Sequence, residues 1–265
     1  YLFPAYFLGN FPEKKIIMGT HTAGLSEDFG RRVRNLIDGE EYHELFPATQ
    51  VADDQKAAGK WSTAAGGQYY AAGVGGALAG RGADLFVIDD PHSEQDVKIN
   101  SRLAFDTAWS WFQTGPLQRL MPGGAIIIIM TRWSKLDLTG RLLDYQSKNN
   151  IAPVDQWEVV ELPAILHEDS DKEKSLWPDQ WPLESLKAKK AAITNTAIAG
   201  LQREAVKANM TLEQVMSICC ERGWAGFKAD WMIGQAIRIN PHDVATVTVA
   251  AVERQDRVVC YRAAP

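Results

Sequence analysis

Two short apolar runs, each closed by polar residues, organise this chain. Leu85 to Ile88 (LFVI) leads into Asp89 and Asp90, and Ala125 to Met130 (AIIIIM) leads into Thr131, Arg132 and Trp133. Apolar runs without alternation are what strands buried on both faces look like. Lys14 to Gly19 (KKIIMG) reads as a further buried strand, and Trp157 to Leu162 as another. Between these runs the period becomes helical. Phe29, Val33, Leu36 and Ile37 share a helix face, with Ser26 expected as N-cap, Glu27 and Asp28 in the first turn, and Gly39 as the stop. Ser101 to Gln113 and Leu136 to Gln146 read as two more helices. Trp61 to Ala64 and Gln68 to Ala72 read as a hairpin around Gly66-Gly67.

Strands separated by helices require crossover connections, so the expected fold is α/β, a mainly parallel sheet with helices on both faces. Sites in such sheets lie at the carboxyl ends of the strands. Asp89, Asp90, Thr131 and Arg132 all fall at expected carboxyl ends. The functional expectation is therefore spatial: an acidic couple and a hydroxyl on one rim.

Further along, Ser170 to Pro182 is polar and rich in Pro and Trp, and reads as a loop. After about residue 193 the character changes. Thr211 is expected to cap a helix with Leu212, Val215, Met216 and Cys219 on one face, ended by Gly223. Val244 to Val252 and Arg257 to Tyr261 read as a β-hairpin. The expected organisation is a domain over 1–193 and a small α+β appendage over 194–265. No internal repeat is visible.

Composition narrows the function classes. The 265 residues, 46% of them hydrophobic, suffice for one large core with an appendage. The net charge of −5, from 33 acids and 28 bases, argues against a general basic coat for nucleic acid. Lys14, Lys15, Arg31, Arg32 and Arg34 make a modest basic region that reads as a solvated face. Cys219, Cys220 and Cys260 lack zinc-site spacing and suit a reducing compartment. No signal peptide is visible, and the run Ala125 to Met130 is far shorter than the about 20 apolar residues of a membrane helix, so no membrane partner is expected. The chain opens at Tyr1 without a Met, which reads as the interior of a longer structured region.

The chemistry-bearing candidates follow. In nucleotide-hydrolysing folds the first acid at a buried strand end holds Mg²⁺ through its waters, and the second orients or deprotonates the attacking water. Asp89 and Asp90 fit those roles, and their mutual repulsion would be relieved by a cation. The alternative is a strand-to-loop turn capped by Asp, since Asp90-Pro91 is itself a turn signal. Thr131 could sense a γ-phosphate or the attacking water, or simply be a β-branched strand terminus. Arg81, between Gly80 and Gly82, could reach a phosphate in its own or a neighbouring subunit, or be a surface Arg in a turn. The loop Gly73 to Gly82 is not a phosphate cradle, because it precedes a strand and carries no Lys. No complete Walker A motif occurs in the chain. His92 is the one histidine near the acidic pair and reads as structural.

Taken in order, several segments resemble the large terminase subunit of tailed bacteriophages. They are GVGGALAGRGADLFVIDDPHSEQD, AIIIIMTRWSKLDLTGRLL, VVELPAIL and SLWPDQWPLESL. The opening FPAYFLG and IIMGTHTAGLSEDFGRRVRNLI fit the stretch just after that family's Walker A, so the resemblance runs from about Tyr1 to Ile193. It implies a P-loop NTPase-like fold of the additional-strand class, truncated at its amino end. It implies ATP and Mg²⁺ as cofactors, with Asp89 as the Walker B acid that holds Mg²⁺ and Asp90 as the catalytic acid. It makes Thr131, Arg132 and Trp133 the coupling motif, and Arg81 a candidate arginine finger on a neighbour's ATP. It implies double-stranded DNA, a small terminase subunit and a portal or procapsid as partners, and a homo-oligomer in the cytoplasm of a bacterial host. The gene would be of phage or prophage origin. Two departures accompany it. The Walker A loop would precede Tyr1, and the expected nuclease domain is not matched after Thr194, where the sequence looks similar to carboxyl-terminal segments of phage replication or regulatory proteins. The competing readings are a non-catalytic remnant or interaction module, and a helicase-like DNA-dependent ATPase.

Overall fold

A computed structural model describes residues 1–131, 136–149, 156–168, 170–191, 236–239, 247–250 and 257–263. The core is an eight-stranded sheet built around four contiguous parallel strands. These are β4 (Gln68–Gly73), β1 (Lys15–Thr20), β5 (Ala83–Asp89) and β6 (Leu120–Thr131), side by side in that order. Beyond β4 the sheet continues through the antiparallel strands β3 (Lys60–Thr63) and β2 (Val51–Ala57). Beyond β6 lie β12 (Arg257–Ala263) and β7 (Glu158–Leu162), while the short strands β8 (Ile165–Leu166) and β9 (Lys174–Ser175) pair apart from this sheet and the single turn α5 (Pro116–Arg119) leads into β6. Only β3 and β12 run against the other strands of this sheet, so it is mostly parallel.

Register explains the two cores. Ile17 pairs with Phe86, and Phe86 with Ile126, so these three side chains leave the same face. They pack with Ile88, Ile128 and Met130 beneath α4 (Glu94–Thr114) and α6 (Leu138–Lys148), which contribute Phe105, Trp111, Phe112, Leu138 and Leu142. The intervening positions Ile16, Met18, Leu85 and Val87 face the other way, against Ala5 and Leu8 of α1 (Leu2–Asn10), Val33 and Ile37 of α2 (Ala23–Ile37), and Tyr42 of α3 (Glu40–Leu45). Helices thus cover both faces, as the unbroken apolar runs require. Each fully buried residue of this size contributes roughly 1.5–3 kcal/mol of transfer free energy, and Phe86, Ile88, Ile126 and Ile128 are all fully buried. Among the described residues, no helix is long and apolar enough to cross a membrane.

Several expected boundaries shift for physical reasons. Ser26 is not the cap of α2. Thr22 is extended and accepts from the Leu25 N–H, which starts the helix a turn earlier. The Ser26 hydroxyl is instead buried and donates to the Ala72 carbonyl at 2.6 Å, pinning α2 to β4. Gly39 does not end α2, which closes at Asp38; Gly39 is the N-cap of α3. Strand β6 starts before Gly123-Gly124 and passes through Gly123 at φ 75°, a conformation that suits glycine.

The expected hairpin of residues 244–261 does not form. Val247–Ala250 (β11) pairs with Ala236–Ile239 (β10) in a separate two-stranded sheet. Strand β12 lies in the main sheet, antiparallel to both β6 and β7. The crossover from β6 through α6 to β7 leaves one strand position between them, and residues 257–263 fill it. Among the described residues, the stretch after 193 therefore contributes β12 to the main sheet, besides the two-stranded sheet of β10 and β11. The helix expected from Thr211 lies outside the described residues.

Candidate functional site

The carboxyl ends of β1, β5 and β6 meet at one rim of the sheet. Asp89 pairs in register with Ile129, which brings the two strands to their ends together. The next residue, Asp90, turns into the left-handed region at φ 43°, a conformation Asp tolerates better than most side chains. Its N–H donates to the Ile129 carbonyl at 2.8 Å, and its carbonyl accepts from the His21 N–H at 3.2 Å. Its carboxylate oxygen Oδ1 accepts from the Thr131 N–H at 3.4 Å. Asp90 thereby ties the ends of three strands, and both acids remain half-buried. The structure brings Asp89, Asp90 and Thr131 to one rim.

Helix α2 starts at this rim. Thr22 caps α2 directly after β1, and the Thr20 hydroxyl, fully buried, donates to the Thr22 carbonyl at 2.6 Å to hold that turn. Helix α1 begins beside Asp89. Tyr1, just ahead of α1, lies within electrostatic reach of Asp89 and Arg32. Arg32 also lies 5.9 Å from the centre of the Tyr1 ring. A helix amino end carries a partial positive charge and free N–H groups, so that of α2 complements an anion placed near the acids' cation.

His92 has a structural task behind the rim. It is buried, its Nε2 accepts from the Leu138 N–H at 3.0 Å, and its ring meets Phe105 edge-on at 4.9 Å. The neighbouring Asp137 caps α6 by accepting from the Gly140 N–H at 2.7 Å. The loop after the acids is thus fastened to the start of α6.

Arg81 is not brought to the rim of its own chain. Its guanidinium stacks 3.6 Å over the Tyr70 ring. Tyr70 is level with Ile17 and Phe86, two strands away from β5 and three residues short of Asp89. That displaces it by about 10 Å across the sheet and about 10 Å along it. Arg132 lies outside the described residues.

One rim residue escaped notice in the sequence. His21 follows β1, and its Nδ1 is buried without a hydrogen-bond partner. The signal was available, since a His directly after a buried strand occupies the same kind of position as Asp90. Among the described residues no group of three or more His, Cys, Asp or Glu side chains converges as a metal cage. Two adjacent carboxylates suit Mg²⁺, which keeps several waters and shares its remaining positions with phosphate oxygens.

No protein-family model matches this chain, and no curated protein matches it. Among solved structures, it aligns with the X-ray structure of YjhP from E. coli at 10% identity and a TM-score of 0.29, over 98% of this chain and 91% of that one. A likeness that slight carries no argument about fold or function.

Proposed function

We propose that this chain is the Walker B portion of a DNA-packaging motor ATPase of the terminase large-subunit type, in which ATP hydrolysis moves double-stranded DNA. The observation that carries the reading is the Asp90 carboxylate resting on the Thr131 N–H at the joined ends of two parallel strands. In that reading Asp89 holds Mg²⁺ through water, and Asp90 aligns the attacking water. Thr131 senses the γ-phosphate, and its movement passes to the following helix, α6, whose first turn is already fastened to the post-Asp90 loop by His92. The amino end of α2 supports an anion at the same rim. Arg81, remote from its own rim, acts on a neighbouring copy's nucleotide. Mg²⁺ supplies charge neutralisation on the transferred phosphoryl group.

The chain has no Gly-Lys-Ser or Gly-Lys-Thr loop, so it is expected to bind ATP weakly by itself. The test supplies that loop. A strand and phosphate loop are fused ahead of Tyr1, and ATP turnover is measured with and without double-stranded DNA. DNA-stimulated turnover that falls by about a hundredfold or more in Asp90→Asn supports the reading. Turnover indifferent to Asp90→Asn, or a folded fusion that binds no nucleotide, overturns it. Strand separation by the active fusion would favour a helicase-like motor instead.

A further inference from the structure

A second cleft, of about 580 Å³, lies between the glycine-rich crossover from β4 to β5 and the last two turns of α4. None of His21, Asp89, Asp90 and Thr131 lines it. The cleft runs along the α4 side of the sheet, from Gly75 and Gly76 just beyond the carboxyl end of β4 to Arg119, one residue before β6 begins at the amino end.

The lining is a set of donors with too few acceptors. Trp111 is buried, with 6% of its surface exposed, and its indole Nε1–H has no partner. The Nε–H of Arg119 is also buried and unpartnered. Thr107 and Ser110 add hydroxyls on the same α4 face. The one acid in the lining, Asp106, is paired with Arg141 and so does not neutralise Arg119. A buried donor left unpaired is costly, and native structures rarely hold two beside one cleft without an acceptor to take them up. Gly75, at φ 79°, stands at the mouth, where a Cβ would meet nothing within 4 Å.

We infer that this cleft binds a small oxyanion, a carboxylate or phosphate group. Such a group takes the Nε–H edge of a guanidinium through two parallel hydrogen bonds, a geometry Arg provides and Lys does not. The indole N–H and the α4 hydroxyls donate to the remaining oxygens. The phosphoryl and carboxylate sources share this chemistry, and the shape of the rest of the ligand decides between them.

The test is an NMR titration of the full chain labelled with ¹⁵N, reading the indole N–H signals. Trp111→Phe assigns the Trp111 signal. Inorganic phosphate and succinate are added in separate series. A saturable shift of the Trp111 signal with one of them supports the site and names the group. Binding should weaken by about tenfold or more in Arg119→Gln, the loss of one charge-assisted pair. Arg119→Lys keeps the charge but not the fork, so it should weaken binding while leaving the unfolding midpoint in place. No saturable shift with either anion, or a shift undiminished in both Arg119 variants, overturns the inference.

Discussion

The Thr131 N–H meets the Asp90 carboxylate at 3.4 Å, across the junction between two adjacent parallel strands. The acid's position is therefore held from both sides, by its own left-handed backbone and by the end of the next strand. Any charge that draws on Asp90 also pulls on β6.

The backbone of Asp90 makes a prediction of its own. Asp90→Asn keeps a side chain that tolerates φ 43°, and should change stability by no more than about 0.5 kcal/mol. Asp90→Val places a β-branched residue there and should cost about 1–2 kcal/mol. Urea midpoints compare the two. Equal midpoints would mean that the turn relaxes freely and that the left-handed backbone does not constrain the site.

Gly30 should behave against the usual helical trend. Gly→Ala inside a helix ordinarily gains about 1 kcal/mol. Here a Cβ would stand 2.3 Å from the Ala58 carbonyl oxygen and 2.7 Å from the Tyr69 ring. The Trp61 indole, stacked on Tyr69 at 5.2 Å, donates to the Gly30 carbonyl and leaves no slack. Gly30→Ala is expected to lose about 1–3 kcal/mol, as overpacking does. Differential scanning calorimetry reads this as a lower melting temperature, and a rise would count against the packing described.

His92→Phe preserves an aromatic ring against Phe105 but removes the acceptor of the Leu138 N–H. The buried donor left behind should cost about 1–3 kcal/mol. The loss should be local, with amide exchange at Leu138 and along the first turn of α6 accelerating more than in α2. Uniform acceleration across both helices would contradict the fastening role.

Alkaline pH should loosen the face covered by α1 and α2. Burial pushes the Tyr42 phenol up to about 12, with the Thr49 hydroxyl opposing slightly, and burial also pushes Tyr69 upward. The Tyr42 hydroxyl donates to the Ala5 carbonyl at 2.8 Å, a bond that only the neutral phenol can make. An unfolded tyrosine ionises near pH 10, about the model-peptide value. The unfolded state therefore loses its protons first. The contribution is complete below about pH 10 and drains away as pH rises toward 12. Denaturant midpoints measured from pH 9 upward, with phenolate absorbance, should fall in step, and Tyr42→Phe should flatten the decline.

Much of this was legible in the chain. LFVI and IIII lack polar alternation, which only a strand covered on both sides can afford, and two helix-lined faces follow. The crossover connections put Asp89, Asp90 and Thr131 at carboxyl ends, and the structure brings those ends together. Helix α1 was not recognisable as a helix from periodicity. It buries Pro4, Ala5 and Leu8 while exposing Leu2, Phe3 and Tyr6, so it is apolar all round. Ser26 and Thr22 compete as caps on local chemistry alone. The contest was decided by Ala72, 46 residues away, whose carbonyl takes the Ser26 hydroxyl.

The spacing of apolar residues thus determined which segments became strands and where their polar ends fell, because that pattern records how each residue meets its immediate neighbours. Only the folded chain decided that Arg81 lies over Tyr70 instead of beside Asp90, that residues 257–263 enter the sheet between β6 and β7, and that Trp111 and Arg119 border one cleft. These are matters of which distant surfaces bury one another. Hydrophobic burial and backbone pairing are indifferent to separation along the chain, so no local pattern encodes their outcome.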